Sequence, residues 1–154
     1  MNCLIIYYSV SGKTKLVAEK IAEILSCETE EIVDLKNRKG LIGFLVSGYD
    51  AVKKKTTNIK QITKDLASYE HIILCFPVWA SNVPPSIRTF LNNFKDKIKN
   101  ISFVATMGFH GAEKMFKEIE SIINKKPRFT IAITKKDLKT EKYLDKIKEV
   151  IKNL

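Results

Sequence analysis

Ser9-Val10-Ser11-Gly12-Lys13-Thr14 puts three hydroxyls, a glycine and a lysine into six consecutive residues. Side chains of that kind, so closely spaced, suit the binding of an oxyanion. Their setting points the same way. The hexapeptide follows the apolar run Cys3-Leu4-Ile5-Ile6-Tyr7-Tyr8, whose length and content of Ile and Tyr fit a buried parallel strand. It precedes Leu16, Val17, Ile21, Ala22, Ile24 and Leu25, which recur at helical spacing. A loop between a strand end and a helix start exposes unpaired backbone N–H groups and the positive end of the helix dipole. Ordinary capping accounts for one or two hydroxyls there. Three around a glycine, directly behind the first strand, point to a phosphate.

The kind of phosphate follows by elimination. Gly12-Lys13-Thr14 suggests a nucleoside-triphosphate loop, but that motif needs a glycine five residues before Gly12. Tyr7 stands there. A dinucleotide fingerprint needs G-x-G-x-x-G, which is absent from this loop. A response-regulator receiver wants acidic residues at the ends of its first and third strands, where this chain has Tyr8-Ser9 and Phe76-Pro77. What remains is a loop of the form hydroxyl-x-hydroxyl-Gly-x-Thr, matched at every defined position from Ser9 to Thr14.

With that loop the chain resembles the flavodoxin-like family. The resemblance implies a three-layer α/β sandwich, with a five-stranded parallel sheet of order 2-1-3-4-5 and helices on both faces. It implies FMN as cofactor, the phosphate held by Ser9, Ser11, Gly12, Lys13 and Thr14. Lys13 and Lys15 either add cationic donors to a site that in this family often relies on N–H groups and hydroxyls, or point into solvent.

The elements that must position this loop alternate along the chain. A short strand is expected within Glu30–Leu35, around Ile32-Val33. The segment from Lys36 to Lys60 carries a helix over Leu41–Val46, and Ile59, Ile62 and Leu66 suggest another helical turn. His71–Phe76 is the third strand, ended by Pro77, which lacks a ladder donor. Pro84-Pro85 opens a helix with Ile87, Phe90, Leu91 and Phe94 as its inner stripe. Ile101–Thr106 and Phe129–Thr134 are the fourth and fifth strands. A helix starts near Gly111-Ala112, and a closing helix runs from about Thr140 to Lys152. The alternation argues for an α/β sheet, and 1–154 is expected to form one domain.

In an open α/β sheet, ligands settle outside the carboxyl ends of the strands, at the switch point of strand order. For order 2-1-3-4-5 that point lies between strands one and three. The loop after strand three is Pro77-Val78-Trp79-Ala80-Ser81-Asn82-Val83-Pro84-Pro85, and the one after strand four is Thr106-Met107-Gly108-Phe109-His110-Gly111. Both are expected to meet the Ser9–Thr14 loop. Trp79 is the only tryptophan and offers a planar surface for a planar ring. Pro77-Val78-Trp79 also resembles the Pro-x-Trp loop of many flavodoxin-like proteins. Gly108 and Gly111 allow close backbone approach to a flavin. Phe109, or alternatively Tyr49, is expected to cover its second face. His110 is an exposed loop histidine without an evident partner, and no catalytic residue is assigned.

Hydrophobic content of 45% and charged content of 29% are ordinary for a globular chain. No apolar run approaches the roughly 20 residues of a bilayer span, and the N-terminus lacks the sections of a signal peptide. Cys3, Cys27 and Cys75 show no metal or C-x-x-C spacing. They are read as unpaired thiols of a reducing compartment, hence a cytoplasmic location. The net charge of +10 departs from the acidic electron carriers of the family and fits either solvated lysines on amphipathic helices or steering towards an acidic redox partner or acceptor. Nucleic acid is disfavoured, because the lysine runs lack interleaved aromatics.

The expected function is that of an FMN redox protein, carrying electrons between a reductase and an acceptor or reducing a small acceptor. The alternatives are an NAD(P)H-dependent FMN quinone or flavin reductase, and a flavin-free binding module on the same fold. None of the three loops contains Asp or Glu. The couple ending on the anionic, fully reduced flavin is therefore expected to be less negative than in acidic flavodoxins.

Overall fold

The computed structural model describes residues 2–152. Five parallel strands form one sheet of order β2-β1-β3-β4-β5. They are β1 (Cys3–Tyr7), β2 (Glu28–Glu31), β3 (His71–Pro77), β4 (Ile101–Met107) and β5 (Thr130–Thr134). β1 is buried throughout, and β3 and β4 are buried along all but their last residue, which is why each reads as a continuous apolar run rather than an alternation. The expected order and fold class are those observed.

Helices cover both faces. One apolar layer gathers Ile5, Tyr7, Ile73, Cys75 and Val104 under α1 (Lys13–Leu25) and α6 (Lys142–Ile151). The other gathers Leu4, Ile6, Leu74, Phe76 and Phe103 under α3 (Pro85–Phe94) and α4 (Ala112–Ile123). Alternation along each strand sends neighbouring side chains into opposite layers. Pro85 at the first turn of α3, after Pro84, sets that helix start as expected. The closing helix begins at Lys142, behind a short α5 (Lys135–Lys139). A reciprocal cap of Thr134 and Asp137 starts α5.

Two expectations are corrected along one edge. The second strand is Glu28–Glu31 rather than a segment centred on Ile32-Val33. Its residues are largely exposed, as suits an edge strand, so its apolar signal is weak. Ile32 instead is buried just past the strand, its N–H donating to the Tyr7 carbonyl at 2.7 Å. Likewise Ile59 forms no helical turn but an antiparallel bridge with Asp34, and only Leu66–Ser68 makes a short 3₁₀ turn.

The register of that edge has a second consequence. Leu4 lies opposite Glu28, so Cys3 falls opposite Cys27, with their Cα atoms 5.8 Å apart. That separation is in the range of a disulfide, and the two are paired. The expectation of three unpaired thiols is thus corrected. Cys75 alone is free, buried in the sheet, and burial pushes its thiol pKa up.

Candidate functional site

The loop after β1 ends on Gly12, which caps α1 at φ +84°. Positive φ is what calls for glycine there, since a Cβ would meet nothing within 4 Å. No side chain caps the helix, and its first turn holds no acidic residue. The leading N–H groups and the dipole are thus offered outward. Ser9 Oγ is buried and has no hydrogen-bond partner. An orphaned buried hydroxyl costs roughly 1–3 kcal/mol, and a phosphate oxygen would satisfy it. Thr14 behaves differently. Its Oγ1 shares a buried 2.7 Å hydrogen bond with Thr106 Oγ1, tying the loop to the end of β4.

A cavity of about 380 Å³ opens beside this loop, within the range of small-molecule and cofactor sites. Ser11, Lys13 and Thr14 line one side. Pro77, Val78 and Trp79 line another, and Thr106, Met107 and Gly108 close the end of β4. Ser9 and Gly12 line an adjoining cleft with Lys15. The three strand-end loops therefore converge, as the strand order requires. The Val78 N–H donates to the Thr106 carbonyl at 2.9 Å, holding two of them together. Trp79 is half-buried, with its ring 5.5 Å from Tyr8 in an edge arrangement.

Three further predicted residues line neither the cavity nor the adjoining cleft. Ala80 is exposed on a tight turn, where it and Ser81 take φ of +47° and +56° and Asn82 N–H donates to the Trp79 carbonyl. Gly111 has φ +108°, and a Cβ on it would lie 2.4 Å from Ser81 Oγ. Its lack of a side chain lets the loops after β3 and β4 pack together. Phe109 is 89% exposed and its neighbour His110 is exposed too.

The rest of the wall comes from two regions that sequence reasoning did not assign to the site. Lys135 and Leu138 of α5 form one part, and Arg38, Gly40, Phe44 and Ser47 form the other. The last three belong to α2 (Gly40–Val52). Phe44, rather than Tyr49 or Phe109, is the aromatic side chain that joins Trp79 in the wall. Its signal in the sequence was only an apolar helix.

Arg38 is the least expected member. Its side chain is 2% exposed. Nε donates to Asp34 at 2.9 Å and Nη1 to Asp50 at 2.7 Å. Lys36 and Lys55 also reach Asp50, at 2.8 and 3.4 Å. Burial pushes the Asp50 pKa up, but these cationic neighbours outweigh it and hold the carboxyl at about 2. For Arg38 too, burial opposes the charge, and the two carboxylates hold it above its ordinary value. Nη2 has no partner. Arg38 lines both the cavity and the cleft behind Ser9, so one buried cationic donor borders the phosphate loop, in a cleft that Glu31 and Asp34 also line. The wall carries Lys13, Arg38 and Lys135 and, among the described residues, no carboxylate.

A family model described as Flavodoxin matches residues 2–152. The chain belongs to the flavodoxin family. Among solved structures, a Lactobacillus acidophilus flavoprotein in complex with FMN is similar, with 22% identity and a TM-score of 0.72 over 92% of this chain and 97% of that one. A Bacteroides eggerthii flavoprotein shows 19% identity and a TM-score of 0.73 over 95% and 97% of the two chains. Two-electron reduced Megasphaera elsdenii flavodoxin shows 16% identity and a TM-score of 0.56 over 85% of each. At these identities the likeness is one of fold. No curated protein sequence matches the chain. Membership of the flavodoxin family and the FMN-bound neighbour support FMN as cofactor. The orphaned Ser9 hydroxyl and the open start of α1 fit its phosphate.

Proposed function

We propose that this flavodoxin-family chain is an FMN redox protein that passes electrons between a reductase and an acceptor. The observation that carries the proposal is the buried, partnerless Ser9 Oγ beside the uncapped start of α1, on the edge where three strand-end loops meet. The isoalloxazine of FMN would supply the redox chemistry.

The chain's own residues bind and orient. Ser9, Ser11 and the first N–H groups of α1 hold the phosphate, with Lys13 and the free Nη2 of Arg38 as cationic donors. Trp79 and Phe44 give apolar walls for a planar ring, and Gly108 gives close backbone access. The Thr14–Thr106 hydrogen bond keeps the phosphate loop and the β4 end in fixed relation. Lys13 and Lys135, with no carboxylate in the wall, favour added negative charge, whereas the charge of Arg38 is balanced by Asp34 and Asp50. The couple that ends on the anionic reduced flavin is therefore expected to be less negative than in acidic flavodoxins, and a more negative value by potentiometric titration would contradict this.

A cytoplasmic location is part of the proposal, although the Cys3–Cys27 pairing removes the unpaired-thiol argument for it. No described helix is long and apolar enough to cross a membrane. The direct test is a visible absorption spectrum of the purified protein with and without added FMN, followed by NADH or NADPH without a second protein. The proposal predicts a bound flavin spectrum and slow reduction by either nucleotide alone. A protein that stays colourless with FMN would overturn it, and rapid reduction would reassign it to the reductase class.

A further inference from the structure

The large side chains of α2 face the wrong way for a helix lying on a sheet. Leu41, Ile42, Phe44, Leu45, Tyr49 and Val52 are each more than half exposed, Leu41 and Ile42 at 78%. At 100° per residue they share an arc of roughly 160°. The opposite side, which is buried, offers Gly43, Ser47, Asp50 and Ala51. This inverts the usual amphipathic pattern. Single exposed hydrophobics need no explanation, but a contiguous apolar face marks an interaction site.

The charged residues that flank this face in the chain are lysines, of which Lys54 also reaches the partly buried Glu118 at 3.8 Å. Lys39 precedes the helix and Lys53, Lys54 and Lys55 follow it. Lys55 Nζ lies 4.8 Å from the centre of the Tyr49 ring and Lys53 Nζ 6.0 Å, so both stand at the border of the apolar face. The one acidic residue of the helix, Asp50, is buried beneath it against Arg38, Lys36 and Lys55.

We propose that α2 docks the protein on an anionic lipid surface. Its apolar side enters the boundary between headgroups and acyl chains, and the flanking lysines lie among the anionic headgroups. Two alternatives fit the face less well. A protein partner is expected to bring roughly one hydrogen bond per 100–200 Å², yet the arc carries no side-chain donor or acceptor except the Tyr49 hydroxyl. A second copy would set the same lysines against each other on two chains of net charge +10. The proposal does not depend on FMN. Because Gly40 and Phe44 also line the cavity, docking by α2 would bring the cavity to the lipid boundary.

Vesicle co-sedimentation of the full chain tests this, using phosphatidylglycerol mixed equally with phosphatidylcholine against phosphatidylcholine alone. The chain is expected to sediment with the anionic vesicles and not with the neutral ones. L41S/I42S/L45S should lower the bound fraction at least tenfold with an unchanged circular dichroism spectrum, and K53E/K54E/K55E should do so in the same direction. Absence of binding to anionic vesicles would overturn the proposal. So would binding that L41S/I42S/L45S leaves intact, which would be attraction by net charge alone. A dimer at sedimentation equilibrium that this triple variant dissociates would reassign the face to a second copy.

Discussion

α2 and α4 have 13 and 12 residues and are held to the molecule by opposite means. α4 buries Met115, Phe116, Ile119 and Ile123, and Phe116 stacks on Phe103 with ring centres 6.0 Å apart. α2 buries small or polar residues and rests on the ion cluster of Arg38, Asp34 and Asp50. Gly43 lets it lie directly on the chain, because a Cβ there would be 2.4 Å from the Arg38 carbonyl carbon. The difference separates two uses of apolar side chains. Those of α4 are spent inside the core. Those of α2 remain available, Phe44 for the cavity and the rest for a surface.

The largest effect should come from emptying the α4 side. Phe116→Ala is expected to lower unfolding stability by about 3–5 kcal/mol in urea titration, and a loss below about 1 kcal/mol would show that α4 is not held by its apolar face. Asp50→Ala removes the carboxylate that pairs Arg38, leaving a buried guanidinium with less compensation. About 3 kcal/mol should be lost, together with FMN affinity, because Arg38 and α2 both line the cavity. Loss of stability with unchanged FMN affinity would detach the cluster from the site.

Acid should distinguish the helices next. Asp50 has its pKa lowered from 3.8 to about 2 in the folded chain, so its stabilisation is complete above pH 3.8 and is lost as pH falls towards 2. That loss is about 2 kcal/mol at the 1.36 kcal/mol of each pKa unit. Stability of Asp50→Asn should be flatter over this window, and an unchanged slope would contradict the assignment. The smallest effect belongs to the outer face of α2. Leu45→Ser should change stability by less than about 0.5 kcal/mol. A core-sized loss by the same urea titration would mean that this face is covered.

The same contrast explains what could be read from the sequence. The strands β1, β3 and β4 are uniform apolar runs, and Ser9–Thr14, Pro77–Trp79 and Thr106–Gly108 follow directly from them. Strand order alone then brings those loops together. Arg38 could not be found that way. Its partners Asp34 and Asp50 lie four and twelve positions away; residues 34–39 form no helix that would make the four-residue spacing a signal, and the twelve-residue contact has no period. β2 was displaced because an exposed edge strand lacks an apolar pattern, and the Cys3–Cys27 pairing was hidden with it. Phe109 and Tyr49 fit a ring cover by aromatic type alone. What decides the matter is direction, and that belongs to Phe44.

The central claim is that the β1–α1 loop, with Ser9 and Arg38, holds the phosphate of FMN. Calorimetric titration with FMN and with riboflavin, which lacks the phosphate, tests it most directly. FMN should bind at least tenfold more tightly than riboflavin, with Arg38→Met and Ser9→Ala narrowing that ratio. Equal affinity for the two flavins would contradict the claim.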